Sequence, residues 1–304
     1  MKRSKVEIKK RIAHRMNDRD LKRIYGDPNA RPKPKPIHVG LVSREEHRTG
    51  IRKAIYTKLN VDVFSKEYNK KTVVDYDAVV IISSFDRFKK LCRIFKELHQ
   101  QESKYKIKII IYNDGSTDMD YDKIPELYPD VIYLNNEVNN GKHMYWETIT
   151  TLFKKASEFV SHVVIQIDDD FILCENFIDN LIDKFFESKG IDNRNVGIHY
   201  HIPKGAPQTY WGMNNWVDGG AIFDTEFLLV INNTVDPIST NRWKGNPELS
   251  SGVWHQISKK IEYNQLLTYK LKQSLARHDG NTDSKMNTEQ RNRSSIHTHN
   301  FKKN

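Results

Sequence analysis

From residue 77 the chain repeats one pattern: a short run apolar at nearly every position, then a longer stretch with apolar residues at helical spacing. The runs are "DAVVIIS" at 77–83, "KIKIIIYN" at 106–113, "DVIYLN" at 130–135 and "HVVIQI" at 162–167. Between and after them come "RFKKLCRIFKELHQQ" (87–101), "HMYWETITTLFKKASEF" (143–159) and "ENFIDNLIDKFFES" (175–188). A strand with no polar face must be covered on both sides, so the alternation predicts a mostly parallel α/β sheet flanked by helices. Before it, "IHVGLVS", "REEHRTGIRKAIYTKL" and "VDVFS" read as a βαβ-like preface over 37–76.

Charge separates the ends from the middle. Residues 1–36 hold 13 Lys/Arg against 4 Asp/Glu and close on "RPKPKP", while the whole chain has 49 basic and 39 acidic residues. The net positive charge therefore sits almost entirely in a basic N-terminal arm, with a smaller excess in the polar tail 285–304. Such an arm suits a solvated helix and linker, a polyanion whose phosphates it neutralises, or an anionic membrane surface. No run reaches the roughly 18 apolar residues that span a bilayer, and the N-terminus lacks the apolar core of a signal peptide. The expectation is a soluble, cytoplasmic protein, in the host cytoplasm if viral. Cys92 and Cys174, far apart and in apolar segments, read as reduced and inert.

In a parallel sheet, ligands bind outside the carboxyl ends of the strands. Those ends here are Ser83-Ser84-Phe85-Asp86-Arg87, then Asn113-Asp114-Gly115-Ser116-Thr117-Asp118, Asn139-Asn140-Gly141-Lys142, and Asp168-Asp169-Asp170. Each alone has a structural explanation: a capped turn, a glycine turn, or a helix N-terminus favouring carboxylates. The aspartate run also lacks the spaced D-x-D-x-D-G of a calcium loop. Four polar strand ends in this order on one edge point instead to a shared ligand.

Together "VVIISSFDR", "IIIYNDGSTD", "NNGK" and the D-x-D element Asp168-x-Asp170 make the segment from about 77 to 225 resemble a family-2-like nucleotide-sugar glycosyltransferase of GT-A (Rossmann-like) fold. The resemblance implies a nucleotide-binding half at 77–175 and an acceptor half at 176–284. It implies a UDP-type sugar donor held by Ser84, Phe85, Asp86, Asp114, Lys142, Asp168 and Asp169, with Asp114 on the base and Asp169 as the variable middle residue. It further implies Mn²⁺ or Mg²⁺ on Asp170, with His278 in "LARHDGNTDSKMN" as a further ligand and Ser284 and Lys285 on the phosphates. Hard oxygen ligands suit such cations, which offset the charge that develops on a departing diphosphate.

Four of the five tryptophans lie between 211 and 254. By the resemblance, Trp211, Trp216, Gly219, Gly220 and Trp243 line the acceptor site; core packing is the alternative for the aromatics. The family's Glu-Asp pair opening a late helix is absent from "KGNPELSSGVWHQISKKIE", so Glu248, then Asp218, then His255 stand as candidates for the base that an inverting transfer needs. The basic ends favour DNA as acceptor, a hydroxymethylated pyrimidine of the kind bacteriophages glycosylate, with the base flipped onto aromatics. Two rivals remain: a surface-polysaccharide or lipopolysaccharide transferase held at an anionic membrane, and a non-catalytic nucleic-acid-binding protein on the same scaffold.

Overall fold

The computed structural model describes residues 74–201, 212–247 and 249–279. The arm 1–36, nearly all of the preface 37–76, and the tail 285–304 lie outside the described residues, as do Trp211, Glu248, Ser284 and Lys285. Packing divides the chain into a larger unit, Val74–Ile238 with Pro247–Asn304, and a second that holds Ser239–Asn246.

In the larger unit the order is β1 (Tyr76–Ser84), α1 (Phe88–Gln100), β2 (Ile107–Asp114), α2 (Ile124–Leu127), β3 (Ile132–Asn136), α3 (Gly141–Ala156), β4 (Ser161–Asp168), β5 (Phe171–Leu173) and α4 (Phe177–Ile191). It continues with β6 (Asn195–His199), β7 (Gly212–Asn214), β8 (Ala221–Asp224), α5 (Thr225–Val230), α6 (Val253–Tyr263), β9 (Leu267–Lys270) and β10 (Ala276–His278). The strands form an eight-stranded sheet ordered β3-β2-β1-β4-β8-β6-β9-β7 and a two-stranded ribbon β10-β5. β3, β2, β1 and β4 are mutually parallel. β8 runs against both β4 and β6, and β9 is parallel to β6, so the carboxyl ends of β1–β4, β6 and β9 share one edge.

The continuous apolar runs are strands because both faces are covered. In β1, Ala78, Val80 and Ile82 pack with Leu91, Ile94 and Phe95 of α1 and Phe177, Leu181 and Phe185 of α4. Val79 and Ile81 face the other way, toward Ile149, Leu152 and Phe153 of α3 and Val253, Ile257 and Ile261 of α6. Each fully buried isoleucine of this kind contributes about 1.5–3 kcal/mol. α1 is helical for the complementary reason: its buried residues Leu91, Ile94, Phe95 and Leu98 recur at the spacing of one helix face. Cys174 is buried and Cys92 half-buried, and neither is in a disulfide.

Two details place the crevice. β1 is flanked by β2 on one side and β4 on the other, the reversal of strand order that opens a crevice beyond the carboxyl ends. The β10-β5 ribbon pairs His278 with Phe171 and Arg277 with Ile172, and Asp279 N donates to Asp170 O at 2.8 Å. Strand pairing therefore carries His278, more than a hundred residues later in sequence, to the end of β4. No helix among the described residues is long and apolar enough to cross a membrane.

Candidate active site

The end of β1 and the end of β4 are joined by one polar network. Ser84 Oγ donates to Asp169 Oδ2 at 2.8 Å and lies 2.5 Å from Tyr121 Oη. Arg87 Nη1 bridges Asp169 Oδ1 at 2.8 Å and Asp170 Oδ2 at 3.2 Å, and its backbone N donates to Tyr121 Oη at 2.9 Å. Asp169, which the D-x-D pattern leaves as a variable middle position, is thus among the most firmly held side chains here. Asp170 keeps its other oxygen, Oδ1, 3.1 Å from His278 Nδ1. Asp168 Oδ1 accepts from Gln166 Nε2 at 2.7 Å, and Gln166 Oε1 in turn takes the backbone N–H of Gly220 at 2.8 Å. Gln166 so ties β4 to the start of β8.

The three carboxylates are unequal because their surroundings are. Burial pushes Asp168 up to about 6, reinforced by the charge of Asp170. Burial raises Asp169 too, with the Arg87 charge opposing it. Burial works on Asp170 in the same sense, but the hydrogen bond and charge of His278, with Arg87 and Lys90, outweigh it and hold that carboxyl at about 2. Asp170 is therefore the most acidic of the three.

A second network joins the ends of β2 and β3. Asp114, buried, accepts at Oδ1 from the backbone N of Asn140 at 3.0 Å, and its carbonyl accepts from Asn139 Nδ2 at 2.9 Å. Burial raises the Asp114 carboxyl, against hydrogen bonds from the Asn140 and Gly141 backbone and the Asn136 side chain. Gly115, at φ +69°, lies so close to the Val138-Asn139 backbone that a Cβ would stand 2.4 Å from Asn139 N. Only glycine lets the two turns meet. Asp86, at φ +50°, accepts from Thr117 N at 2.8 Å while its own N donates to Ser116 Oγ at 2.9 Å, pinning the end of β1 to the same turn.

The other sequence-derived candidates fall as follows. Lys142 Nζ, on the first turn of α3, donates to the Pro247 carbonyl at 2.5 Å. Asp218 is exposed and accepts from Gly219 N at 2.9 Å. Gly219 abuts the other half of the site: a Cβ on it would lie 3.0 Å from Asp168 Oδ2 and 3.3 Å from Trp254 Nε1. Gly220, at φ +76°, is packed against Phe171 and His201. Trp216 is 40% exposed. Trp243 is buried in a 3₁₀ turn of the smaller unit, Thr240–Trp243, and His255 is exposed on α6. Sequence reasoning passed over Arg87, Tyr121, Gln166 and His201 as site residues; Arg87 carried the one available signal, its place in a polar strand end.

Among the described residues no three His, Cys, Asp or Glu side chains form a ready metal-binding group. Asp170 and His278 nevertheless fit a divalent cation: an ionised hard oxygen ligand and an imidazole within 3.1 Å of one another, with the remaining positions left to ligand oxygens.

The family model described as Glycosyl transferase family 2 matches residues 79–217. This stretch is family-2-like. It contains the carboxyl ends of β1 to β4 but not the β10 end bearing His278. No curated protein matches the chain significantly. Among solved structures, TarS 1–349 from S. aureus in complex with UDP is 15% identical with a TM-score of 0.49, covering 66% of this chain and 59% of that one. The complex of TarS 1–349 with UDP-GlcNAc gives 15% and 0.48 over 66% and 57%. The mannosyltransferase PcManGT from Pyrobaculum calidifontis, in complex with GDP-Man and Mn²⁺, is 13% identical with a TM-score of 0.52, covering 79% of this chain and 68% of that one. The family-2-like segment thus has a GT-A-like α/β fold, while the chain spans 59% of the TarS 1–349 chain.

Proposed function

We propose that this protein is a metal-dependent, inverting glycosyltransferase that moves a sugar from a nucleotide diphosphate donor, of UDP type, to an acceptor hydroxyl. The observation that carries the reading is the convergence of Ser84, Asp114, Asp168, Asp169 and Asp170 on one crevice at the strand-order reversal, within a family-2-like segment. Asp114 receives the base, Asp168 the ribose side, and Asp170 with His278 holds Mn²⁺ or Mg²⁺. When bound, that cation offsets the negative charge gained by the departing diphosphate; the solved complex of PcManGT contains GDP-Man and Mn²⁺.

Transfer is a single displacement. The acceptor oxygen attacks the anomeric carbon, the bond from that carbon to the diphosphate oxygen breaks, and the hydroxyl proton passes to a carboxylate. Asp218 is the described candidate, exposed and one residue from the glycine that abuts Asp168; Glu248 is the candidate beyond the described residues. The acceptor class we favour is DNA bearing a hydroxymethylated pyrimidine. Its support is the charge of residues 1–36, since clustered Lys/Arg neutralise phosphates.

The test is to incubate the protein with Mn²⁺, a panel of nucleotide sugars, and hydroxymethylated DNA, plain DNA or glycan extract, following released nucleotide and product mass. Wild type is expected to release nucleotide diphosphate and add a hexose or pentose mass to hydroxymethylated DNA, and Asp170→Asn to lower turnover by at least about 100-fold. Transfer to glycan alone would replace the DNA acceptor with the polysaccharide reading. No donor turnover with any acceptor, together with DNA binding, would leave the non-catalytic reading.

A further inference from the structure

His199 ends β6 at the same edge as Asp168, in register with Ala221 of β8 and Lys270 of β9. It is 1% exposed, and neither of its ring nitrogens makes a well-formed hydrogen bond, the Gly219 backbone meeting the ring only weakly. A buried imidazole leaves at least one donor and one acceptor to be satisfied, and an orphan of this kind in a native fold marks a group that something else is meant to meet. Lys270 beside it is 3% exposed. Both lie under one indole: Trp216 sits edge-to-face on His199 with ring centroids 5.5 Å apart, and Lys270 Nζ is 5.8 Å from the Trp216 ring centre.

The indole is the exposed part of that cover. The backbone around it is fixed, with Trp216 N donating to Asn214 Oδ1 at 2.8 Å and Thr268 Oγ1 donating to Trp216 O at 2.7 Å. Trp216 itself remains 40% exposed. Asp218 follows two residues later, and its neighbour Gly219 faces Asp168 Oδ2. An exposed aromatic plane, a buried neutral imidazole, an ammonium group and an exposed carboxylate are together the equipment for a polyhydroxylated ring: the plane takes its C–H face, and the polar groups take its hydroxyls.

We propose that His199, with Lys270 under the Trp216 plane, forms the subsite for the transferred sugar and selects it by its hydroxyl pattern. This rests on the glycosyltransferase reading. The shared wall at Gly219 places the subsite next to the carboxylate assigned to the ribose side, so its occupant is the ring attached to the diphosphate. His199 binds and orients that ring and forms no covalent bond with it.

The experiment compares UDP and GDP with UDP-glucose, UDP-N-acetylglucosamine and GDP-mannose by calorimetric titration in Mn²⁺, on wild type, His199→Ala, His199→Gln and Trp216→Ala, each checked for folding by circular dichroism. For wild type, one nucleotide sugar is expected to bind about tenfold tighter than its nucleotide diphosphate, one to two hydrogen bonds' worth. His199→Ala and Trp216→Ala should bring that ratio below about threefold with nucleotide diphosphate affinity unchanged, and His199→Gln, which keeps a donor and an acceptor, should retain part of it. Indole fluorescence of wild type should respond to the nucleotide sugar and not to the nucleotide diphosphate, and Trp216→Ala should lose the response. If His199→Ala fails to fold, His199→Gln and Trp216→Ala decide. An unchanged ratio in the folded variants, or no ratio in a wild type that binds nucleotide diphosphates, would overturn the subsite and leave the glycosyltransferase reading standing. A wild type that binds no nucleotide in Mn²⁺ would overturn both.

Discussion

The two ends of the shared edge solve the same problem differently. At β1–β4 every acidic group is answered within the protein: Asp169 by Ser84 and Arg87, Asp170 by Arg87 and His278, Asp114 by the Asn140 amide. At β6 and β9 a buried imidazole makes no well-formed hydrogen bond at either nitrogen. Buried charge is expensive without a counter-ion, so the carboxylate end must be stabilised before any ligand arrives. A neutral ring costs less to leave waiting, and the β6 end can keep its imidazole for a sugar. The contrast is between a preassembled electrostatic platform and a pocket whose satisfaction is deferred to the ligand.

The largest effect should come from the junction that builds the platform. Gly115→Val puts a branched side chain where even a Cβ would stand 2.4 Å from backbone nitrogen, at a positive φ that a β-branched residue avoids. Strain and overpacking together predict a loss of about 4 kcal/mol or more. Chemical denaturation measures it, and a variant within 1 kcal/mol of wild type would mean that the two turns are not held together as described.

Arg87→Met tests whether the platform is answered from inside. The substitution keeps bulk but leaves Asp169 and Asp170 buried beside one fewer cation, which predicts a loss of about 3 kcal/mol in metal-free buffer. Saturating Mn²⁺ should recover part of the loss in the variant, because a cation held by Asp170 and His278 supplies charge to the same cluster. Equal destabilisation with and without Mn²⁺, measured by thermal melting, would separate the acidic cluster from metal binding.

The half of the fold that could be read from the sequence is the half whose strands are continuous apolar runs. The runs at 77–83, 106–113, 130–135 and 162–167 became β1 to β4 within a few residues, and their polar ends became the crevice. β6 to β9 were illegible for a physical reason: they are short, mix antiparallel and parallel neighbours, and include a register shift between Asn195 and Ile198. Their pairing is long-range, and local pattern does not encode it. Yet the rule that found Asp168 applies equally to "NVGIHYH" and "LLTYK", where an apolar run ends in a polar side chain, and it would have singled out His199 and Lys270. Arg87 belongs to the polar end of β1, but nothing in the sequence says that it reaches back across the crevice to Asp169 and Asp170. The arrival of His278 beside Asp170 was anticipated, whereas the strand pairing that brings it there was not.

The deferred side also predicts how stability depends on pH. Burial lowers His199 to about 4 from its ordinary 6.5, with Lys270 adding to that and Asp218 and the Gly219 backbone opposing it. The unfolded chain therefore binds a proton more readily than the folded one, so the His199 contribution is fully present above about pH 6.5 and is lost as pH falls toward 4. The shift corresponds to about 3 kcal/mol at most. His199→Gln should remove the loss of stability that the imidazole contributes between pH 6.5 and 4, leaving the buried carboxylates, Asp168 among them, to set the slope in that window. Superimposable profiles would show that the imidazole is solvated and that the contrast between the two ends is overdrawn.

The smallest effect belongs to Lys142. A cation on the first turn of a helix faces the positive end of its dipole, and α3 has no acidic residue there to offset it. The Pro247 carbonyl takes up the ammonium instead, at an exposed position where such a bond adds little to stability. Lys142→Ala should therefore move the melting temperature by no more than about 1–2 °C, the consequence of a change under about 0.5 kcal/mol. If the side chain leaves Pro247 for the diphosphate when donor binds, the same variant should weaken nucleotide diphosphate affinity by about three- to tenfold, and more at low salt than at high salt. Stability and affinity would then be decoupled at one residue, which is what a preassembled platform with a single mobile charge requires. An affinity unchanged at low salt would confine Lys142 to its bond with Pro247 and leave the diphosphate to the Asp170 and His278 side alone.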